Sequence, residues 1–588
     1  MTPTKNFQGV KTLWNHVSKY LNRAIQAIEK AKRLPTYLIV LVGCLVFFNS
    51  LFNGFIIGDD EEQILLNPLV QSLNNLPQFF LGSTYYEIAS KSNFGLFYRP
   101  LMLSSYSLIY AVVGPDPFMF HLVQVVFHLG NGLLLFLLFK KLKLSRLVAF
   151  FASLLFLIHP INSETVFHIA NLQEVLFLFF GLVSTLIYIN SFKTKNLFHQ
   201  AVVSLFLLIA LFAKETAILF IVLIALYTWV YQRSKLRSMF VVIPPILVYV
   251  FFRLKLAQVH YQIPQISQIG ELSLNQRLFQ VPSVVWYYLK TFLFPAKLVT
   301  QQFWLVASIQ WFDLVAFVSF CLAIIFIGFR LKSHQKLYWF FGGWLLVGLG
   351  LHSQVMPLYL TVAERWFYFP SIGVIGLVAS MAANFLGKKT LMIFFTSILV
   401  ILSVRTFVRS FDWRDSYSLL EADLGQAEND YYNQNLYGSL LIREGAYQQA
   451  EPYILQSTSQ HKFIGNMSNL GSVYLHQQKL EDAERAYKQS LELGQSYTSL
   501  VNYVNFLFYF KKDYQTTQTV IASYLPHYRN GYDLWLVQAQ LYAQTGDYSK
   551  ALQSAQIAYQ LHQSQITAEV LRQVRAKEPI QIGHLLSN

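Results

Sequence analysis

Residues 147–158 read LVAFFASLLFLI and residues 175–189 read VLFLFFGLVSTLIYI, with the polar segment HPINSETVFHIANLQE between them at residues 159–174. A run of about 20 apolar residues suffices to cross a bilayer as a helix. Apolar runs joined by short polar segments fill the sequence up to residue 411. The pattern predicts an all-α protein that contains a polytopic membrane helical bundle.

The composition supports a membrane protein. Of the 588 residues, 54% are apolar and 13% are charged, whereas a soluble protein carries about 25% charged residues. This balance excludes a soluble enzyme, a disordered chain and a basic nucleic-acid-binding protein. The net charge of +15 is therefore attributed to membrane topology and lipid-facing Lys and Arg side chains. Cys44 and Cys321 lie in apolar runs, which predicts neither a disulfide framework nor a zinc site.

About eleven membrane spans are predicted before residue 412. They begin near Leu38, Phe118, Leu147, His168, Ala201, Ala217, Phe240, Phe312, Leu337, Phe367 and Leu391. A further apolar segment, residues 281–298, is interrupted by Pro295 and is predicted to be re-entrant or interfacial. Basic segments mark the cytoplasmic side of a membrane protein. With eleven spans, all the basic segments face the cytoplasm and the C-terminal region faces outward.

This topology predicts three parts: a cytoplasmic basic N-terminal arm at residues 1–35, a transmembrane domain at 36–411 and an extracytoplasmic domain at 412–588. The first 33 residues hold seven Lys and Arg against the single Glu29. No small-residue cleavage site follows them, so we expect an uncleaved membrane anchor. The expected location is a bacterial-type cytoplasmic membrane, or the endoplasmic reticulum if the source is eukaryotic.

The C-terminal domain carries a repeat of 33 or 34 residues. Its marker positions are Tyr447, Leu480, Tyr514 and Tyr548, each followed three positions later by a small residue, Ala450, Ala483, Thr517 or Ala551. This period is that of tetratricopeptide repeats, in which small residues let paired helices approach. It predicts an α-solenoid with a weak third copy at residues 501–520. Irregular helical hairpins without a binding function are the alternative.

Five clusters of ionisable residues lie at the span ends, and the predicted topology puts all of them on the outer face. They are Asp59-Asp60-Glu61-Glu62, Arg99, the segment from His159 to Glu174, Lys214-Glu215 and Glu364-Arg365. An ionised group inside a bilayer costs at least about 2.5 kcal/mol, so it is normally paired or placed in a wet cavity. Together the clusters predict one outer cavity. Taken singly, the acidic cluster is also compatible with a solvated cap, Arg99 with snorkelling and the histidines with a structural role. Lys214-Glu215 and Glu364-Arg365 are each compatible with a local ion pair.

The third cluster is predicted to form a wall of that cavity. Glu164, His168, Asn171 and Glu174 are spaced by four, three and three residues, so one helix would carry them on one face. His159 precedes them at the outer turn. No metal site is predicted on the two histidines, because their spacing fits no standard ligand set.

A carboxylate at the outer edge of the membrane can take the proton of an acceptor hydroxyl. The adjacent Asp59 and Asp60 disfavour joint ionisation, which raises the pKa of one of them, and either one is a candidate general base. Arg99 carries a side chain suited to a phosphate. Such a cavity suits a reaction between a lipid phosphate in the membrane and an acceptor from the water side. No cofactor is required, and the role of a divalent metal stays open.

Six motifs follow one another along the chain. They are the acidic pair at residues 59–60, FYRPL at 97–101, FHLGN at 127–131, HPINSE at 159–164, AKE at 213–215 and AERWFYFP at 363–370. In this order, with the repeats after them, they resemble the transmembrane and tetratricopeptide-repeat O-mannosyltransferases. The resemblance covers nearly the whole chain, and the short repeat array favours a prokaryotic relative.

The resemblance implies a GT-C glycosyltransferase fold. It implies transfer of mannose from a polyprenyl-phosphate donor to Ser or Thr hydroxyls of exported proteins, with inversion at the sugar carbon and Asp59 or Asp60 as the base. The donor phosphate would lie near Arg99, Lys214, Glu364 and Arg365, and the cavity wall would include His159, Glu164, His168, Asn171, Glu174 and Glu215. The repeat domain would bind the acceptor polypeptide. The other partners would be the lipid-linked donor and membrane lipids, with no nucleic acid.

A membrane scaffold and a transporter are the two alternative functions. A non-catalytic membrane scaffold would recruit envelope proteins through the repeats, and its five clusters would tolerate substitution. A transporter would need an inverted repeat or a matching pair of broken helices, and the sequence shows neither. Convergence of the five clusters on one cavity would favour the transferase over the scaffold.

Overall fold

The computed structural model describes residues 4–84, 97–194, 197–260, 267–427, 430–494, 496–578 and 580. These residues form two compact units, the first reaching to Ala427 and the second beginning at Asp430. Residues 412–427, predicted to belong to the repeat domain, therefore lie in the first unit.

The first unit consists of helices and one short pair of strands. Its α-helices, α1 to α17 in chain order, are Thr4–Lys30, Leu34–Phe47, Leu76–Phe79, Pro100–Val113, Pro117–Lys141, Arg146–Ile158, Ser163–Phe167, Leu172–Thr194, Leu197–Ala213, Ile218–Tyr231, Ile243–Phe251, Leu274–Leu293, Trp311–Arg330, Gln335–His352, Tyr368–Phe385, Lys388–Asp412 and Ser416–Leu424. Short 3-10 or π-helical turns are Asn49–Phe52, Glu61–Leu65, Leu73–Asn75, Pro160–Asn162, Ile169–Asn171, Glu215–Ala217, Arg233–Val242, Phe252–Leu256, Gln268–Glu271 and Glu364–Phe367. Strands β1 (Gln301–Gln302) and β2 (Val362–Ala363) pair antiparallel.

Each of the eleven predicted spans corresponds to a helix of this unit, namely α2, α5, α6, α8 to α11 or α13 to α16. Within the described ranges, six helical segments are long and apolar enough to cross a membrane, and the bent segment from Arg146 to Phe167 can supply a seventh. Four further apolar helices are shorter. The chain is an integral, multi-pass membrane protein. The predicted all-α membrane bundle followed by helical repeats is confirmed, while the number of complete spans stays a prediction.

A helix-capping residue and a proline set the start of α5 and the end of α6. The Asp116 side chain caps α5 by accepting from the Phe118 amide at 3.1 Å, with Pro117 as the first helical residue. The chain then bends by 48° between α6 and the turn that begins at Pro160. Proline lacks an amide hydrogen and cannot continue the hydrogen-bonding pattern of the preceding helix. The bend therefore takes residues 159–171 out of a straight helical path.

A buried ion pair fixes the end of α16 to α17. Arg409 is fully buried, and its guanidinium donates to Asp423 at 3.1 Å and to Asp412 at 2.9 Å. The second Asp423 oxygen accepts from the amide and the hydroxyl of Thr300, at 3.0 and 2.6 Å. Because the charge of Arg409 is paired and its partner is hydrogen-bonded, α17 is held against the end of α16 within the first unit.

The second unit is built from antiparallel helix pairs. Its helices α18 to α26 are Tyr431–Arg443, Tyr447–Gln460, Ile464–His476, Leu480–Leu493, Tyr497–Asn505, Tyr514–Tyr524, Tyr532–Gln544, Tyr548–Leu561 and Gln565–Ala576. The four predicted marker residues each begin the second helix of a pair, and the small residue three positions later is fully buried in all four repeats. The third pair is irregular, because α22 continues as a π-helical turn over Phe506–Lys511.

Replacing Gly471 in α20 is expected to destabilise the repeat unit. A Cβ atom at this position would lie 2.7 Å from the ring of Tyr487, which is buried on the facing helix α21. Overpacking of this kind typically costs about 1–3 kcal/mol. We expect faster hydrogen exchange of α20 and α21 in Gly471→Ala. Gln489→Ala, at an exposed position of α21, should leave exchange unchanged.

Candidate active site

Asp60, one of the two candidate bases, is a buried structural residue. Its carboxylate accepts from the Ile56 amide at 2.9 Å and from the Ala170 amide at 2.6 Å. The His168 ring nitrogen Nε2 lies 3.3 Å from the same carboxylate. Burial raises the pKa of Asp60, although His168 and the two amides act in the opposite direction. Asp60 therefore joins the first outer loop to the segment that follows the helix break.

Asp59 has a different environment and is only half-buried. Gly58, directly before it, has a positive φ of 93°, a conformation that glycine adopts without steric cost. Burial raises the pKa of Tyr359, Asp59 raises it further, and Arg365 lowers it. The charges of Asp59 and Arg365 therefore act on the same phenol, which accepts a hydrogen bond from Arg365. Of the two candidate bases, Asp59 is the one accessible to an acceptor.

Three ion pairs join the other clusters, and all of their side chains are buried except that of the half-buried Glu215. Arg99 donates to Glu215 at 3.3 Å, Lys214 pairs with Glu174, and Arg365 pairs with Glu164. The Arg365 amide also donates to Glu164 at 2.8 Å. In each pair the acid and the cation come from different clusters. Together with the approach of His168 to Asp60, these pairs connect all five clusters.

The adjacent residues in the fourth and fifth clusters do not form the local pairs that their sequence also allowed. Lys214 pairs with Glu174, forty positions earlier, and its ammonium lies 5.5 Å from the centre of the Phe177 ring. Arg365 pairs with Glu164, 201 positions earlier. Neighbouring residues point to different sides of a helix or turn, so each cation meets an acid from a distant segment.

The prediction that Glu164, His168, Asn171 and Glu174 share one helical face is wrong. α7 ends at Phe167, and His168 has extended backbone angles before the 3-10 turn Ile169–Asn171 and α8. Glu164, His168 and Asn171 nevertheless lie together. The amide of the Asn171 side chain donates to the Glu164 carbonyl at 2.9 Å and lies 3.3 Å from Nδ1 of His168.

The carbonyl groups released by the helix break are bound by side chains from neighbouring helices. Gln124 donates to the carbonyls of Thr165 and His168 at 2.5 and 2.7 Å, and Tyr106 donates to Ile169 at 2.8 Å. His128 donates through Nε2 to Leu157 at 2.8 Å. Irregular backbone inside a membrane protein requires such partners. These side chains therefore hold the segment that carries Glu164 and His168.

His159 and Glu364 make no described ion pair or hydrogen bond with the other predicted site residues. His159 stacks on Phe292 with ring centres 4.3 Å apart and donates through Nε2 to the Phe292 carbonyl at 2.9 Å. Glu364 is fully buried, and neither carboxylate oxygen has a hydrogen-bond partner among the described residues. The structure brings together nine of the other predicted residues through ion pairs and hydrogen bonds. Asp59 interacts electrostatically with Arg365, and Glu364 does so with Glu164.

The sequence interpretation missed two functional candidates, Tyr359 and Arg253. Tyr359 contacts Arg365, and the guanidinium of Arg253 donates to the Tyr249 hydroxyl at 3.1 Å and interacts electrostatically with Glu215. Arg253 terminates an apolar span, so the rule that identified Arg99 would also have identified it. Tyr359 had no such signal, because an aromatic residue in an outer loop is common at a membrane interface. Over the described part of the chain, no group of three His, Cys, Asp or Glu side chains is arranged to hold a metal ion.

Comparisons with known proteins identify relatives along most of the chain. The human Protein O-mannosyl-transferase TMTC3 is 26% identical over 507 residues, which cover 78% of this chain and 54% of that protein. The Caenorhabditis elegans Protein O-mannosyl-transferase F38B6.6 is 24% identical over 415 residues, 67% of this chain and 58% of that protein. The human Protein O-mannosyl-transferase TMTC1 is 31% identical over 185 residues, 30% of this chain and 20% of that protein.

The chain spans about half the length of the curated relatives that it matches over most of its sequence. No family model matches it. No solved structure matches it significantly either. The curated homologues of this protein are protein O-mannosyl-transferases of the TMTC family, the family that its motifs resemble.

Proposed function

We propose that this protein is a membrane mannosyltransferase that moves mannose from a polyprenyl-phosphate donor to Ser or Thr hydroxyls of exported proteins. The observation that carries the proposal is the connection of five distant polar clusters through three ion pairs and the contact of His168 with Asp60, the residue next to the half-buried Asp59. The names of the homologues support a mannosyl group and a protein acceptor. The reaction takes place on the extracytoplasmic face, where both lipid and exported protein have access.

In the proposed reaction Asp59 is the general base. The acceptor hydroxyl gives its proton to the Asp59 carboxylate while its oxygen attacks the anomeric carbon of mannose. The bond from that carbon to the phosphate oxygen breaks on the opposite face, so the configuration inverts. The electron pair leaves with the polyprenyl phosphate. Asp60 is not suited to this role, because it is fully buried and both of its oxygens accept amide hydrogens.

The leaving phosphate gains negative charge, which cations can stabilise. Arg99 and Arg365 are the proposed groups, since a guanidinium binds phosphate oxygens in a forked geometry. Each is already held by an acid, Glu215 or Glu164. Lys214, paired with Glu174, adds a third fixed charge. The acids orient these cations before the donor arrives, and the donor itself is a substrate, with no cofactor proposed.

The repeat unit is proposed to retain the acceptor polypeptide. Asn469 donates to Asn435 at 2.8 Å, and Asn502 donates to Ser468 at 3.1 Å, so side-chain amides recur on the first helices of consecutive repeats. An amide offers both a donor and an acceptor, as a peptide backbone does. This supports an extended peptide as the ligand of the unit.

Purified protein is expected to transfer label from radiolabelled polyprenyl-phosphate mannose to exported polypeptides. The label should be released by base-catalysed elimination from Ser or Thr, and the product linkage should have the inverted configuration. Polyprenyl-phosphate glucose is the matched donor control and should give much less product. Absence of transfer to every acceptor, while the repeat unit still binds them, would support the scaffold function instead.

A further inference from the structure

The end of the membrane unit remote from Asp59 carries a basic surface built around α1. The Arg146 guanidinium donates to the Glu29 carbonyl at 2.5 Å, and the Lys388 ammonium lies 3.4 Å from the Glu29 carboxylate. Lys389 donates to the Ser18 hydroxyl at 2.7 Å. Helix α1 thus connects the loop before α6 with the first turn of α16. Helices α5, α6 and α16 each have one end at this basic surface and the other end at the candidate active site. The basic surface and the active site are therefore separated by the length of a membrane span.

This surface is strongly and almost uniformly positive. Its exposed cations are Lys19, Arg23, Lys30, Lys32, Arg33, Lys140, Lys141, Lys143 and Lys388. Glu29 is the one acidic residue in the first 58 positions, and residues 130–163 and 380–411 contain none. The Glu29 carboxylate is already engaged by Lys388. The sequence therefore provides almost no internal neutralisation of this charge.

The basic surface continues directly into exposed apolar side chains. Tyr37 and Leu41 on α2 are exposed one and two turns after Arg33, and Ile393 and Phe394 are exposed one turn after Lys389. Apolar side chains in these positions face lipid, so the cations lie at the level of the headgroups. An acidic soluble protein or a nucleic acid would not need that apolar border.

We propose that this surface binds anionic phospholipid headgroups, with the phosphate held by cations of α1 and of the two loops that it contacts. Each Lys or Arg near an anionic membrane surface contributes about 1 kcal/mol, so several together give a stable site. The lipid joins α1 to the membrane bundle on the side away from the sugar-transfer site. The proposal is independent of the transferase function.

The test is a thermal-unfolding titration of the whole detergent-purified protein with phosphatidylglycerol, phosphatidylcholine or inorganic phosphate. We expect phosphatidylglycerol to raise Tm in a saturable way, and the other two to have little effect. A triple variant with Lys19→Gln, Arg23→Gln and Lys30→Gln should weaken the apparent affinity on the order of 100-fold. Removing the same number of exposed cations from the repeat unit, in Lys462→Gln, Lys512→Gln and Arg529→Gln, should not change it.

A variant with the opposite charge effect makes the test sharper. Glu29→Gln removes the local acid and releases Lys388, so we expect it to bind phosphatidylglycerol more tightly than the unmodified protein. If phosphatidylcholine or inorganic phosphate raises Tm as much as phosphatidylglycerol does, the headgroup assignment is wrong. Equal losses of affinity in the α1 variant and in the repeat-unit variant would also overturn it.

Discussion

Asp59→Asn is expected to lower kcat for mannose transfer by about 10²–10⁴-fold, the usual contribution of a general base. The substitution removes the proton acceptor and keeps the size of the side chain. Because Asp59 is half-buried and Asp60 makes the amide hydrogen bonds of this loop, Tm and the KM for the donor should stay near those of the unmodified protein. Single-turnover transfer with labelled donor measures the effect on chemistry directly.

Asp60→Asn is the matched control and should have the opposite profile. Its side-chain amide would bring a donor against the amides of Ile56 and Ala170, which now donate to Asp60. An unsatisfied buried group costs about 1–3 kcal/mol, so we expect a lower Tm. Asp59→Glu, which keeps the carboxylate, should retain part of the activity. If Asp59→Asn turns over normally and Asp60→Asn loses activity at an unchanged Tm, Asp60 is the base.

The elements that depend on local pattern were predictable from the sequence. The repeat period located the first residue of α19, α21, α23 and α25, because small and large residues must recur where paired helices touch. Apolar runs located the membrane helices, because an apolar segment in lipid must pair its backbone hydrogen-bonding groups within itself and therefore forms a helix. These features need no knowledge of distant residues.

The candidate site was predictable in composition but not in its connections. The sequence identifies Glu164 and Arg365 as polar residues in an apolar chain, yet their pairing depends on how α7 meets the turn before α15. The wrong prediction of one helical face through His168 also arose because contacts with distant residues decide the local structure. A spacing of four, three and three fits a helix, but Gln124 and Tyr106 bind the carbonyls at that point, and the broken backbone becomes the stable alternative.

Substitutions in the ion pair of Glu164 and Arg365 should distinguish an effect on stability from an effect on catalysis. Both side chains are buried, and removing one partner of a buried pair costs about 3–5 kcal/mol because the other charge is left unpaired. We therefore expect Glu164→Gln and Arg365→Met each to lower the free energy of unfolding by that amount. The double variant should regain much of the loss, since no uncompensated charge remains.

Transfer activity should not return with the stability of the double variant, because the leaving phosphate still lacks the Arg365 guanidinium. Denaturant unfolding in detergent and single-turnover transfer, measured on the same four proteins, provide the two readouts. The exposed pair of Arg485 and Asp482 is the control, and its loss should cost less than about 1 kcal/mol. A double variant with full activity would remove Arg365 from the mechanism. A double variant that is stable but inactive would mean that the charge of Arg365 acts on the reaction and not only on the stability of the fold.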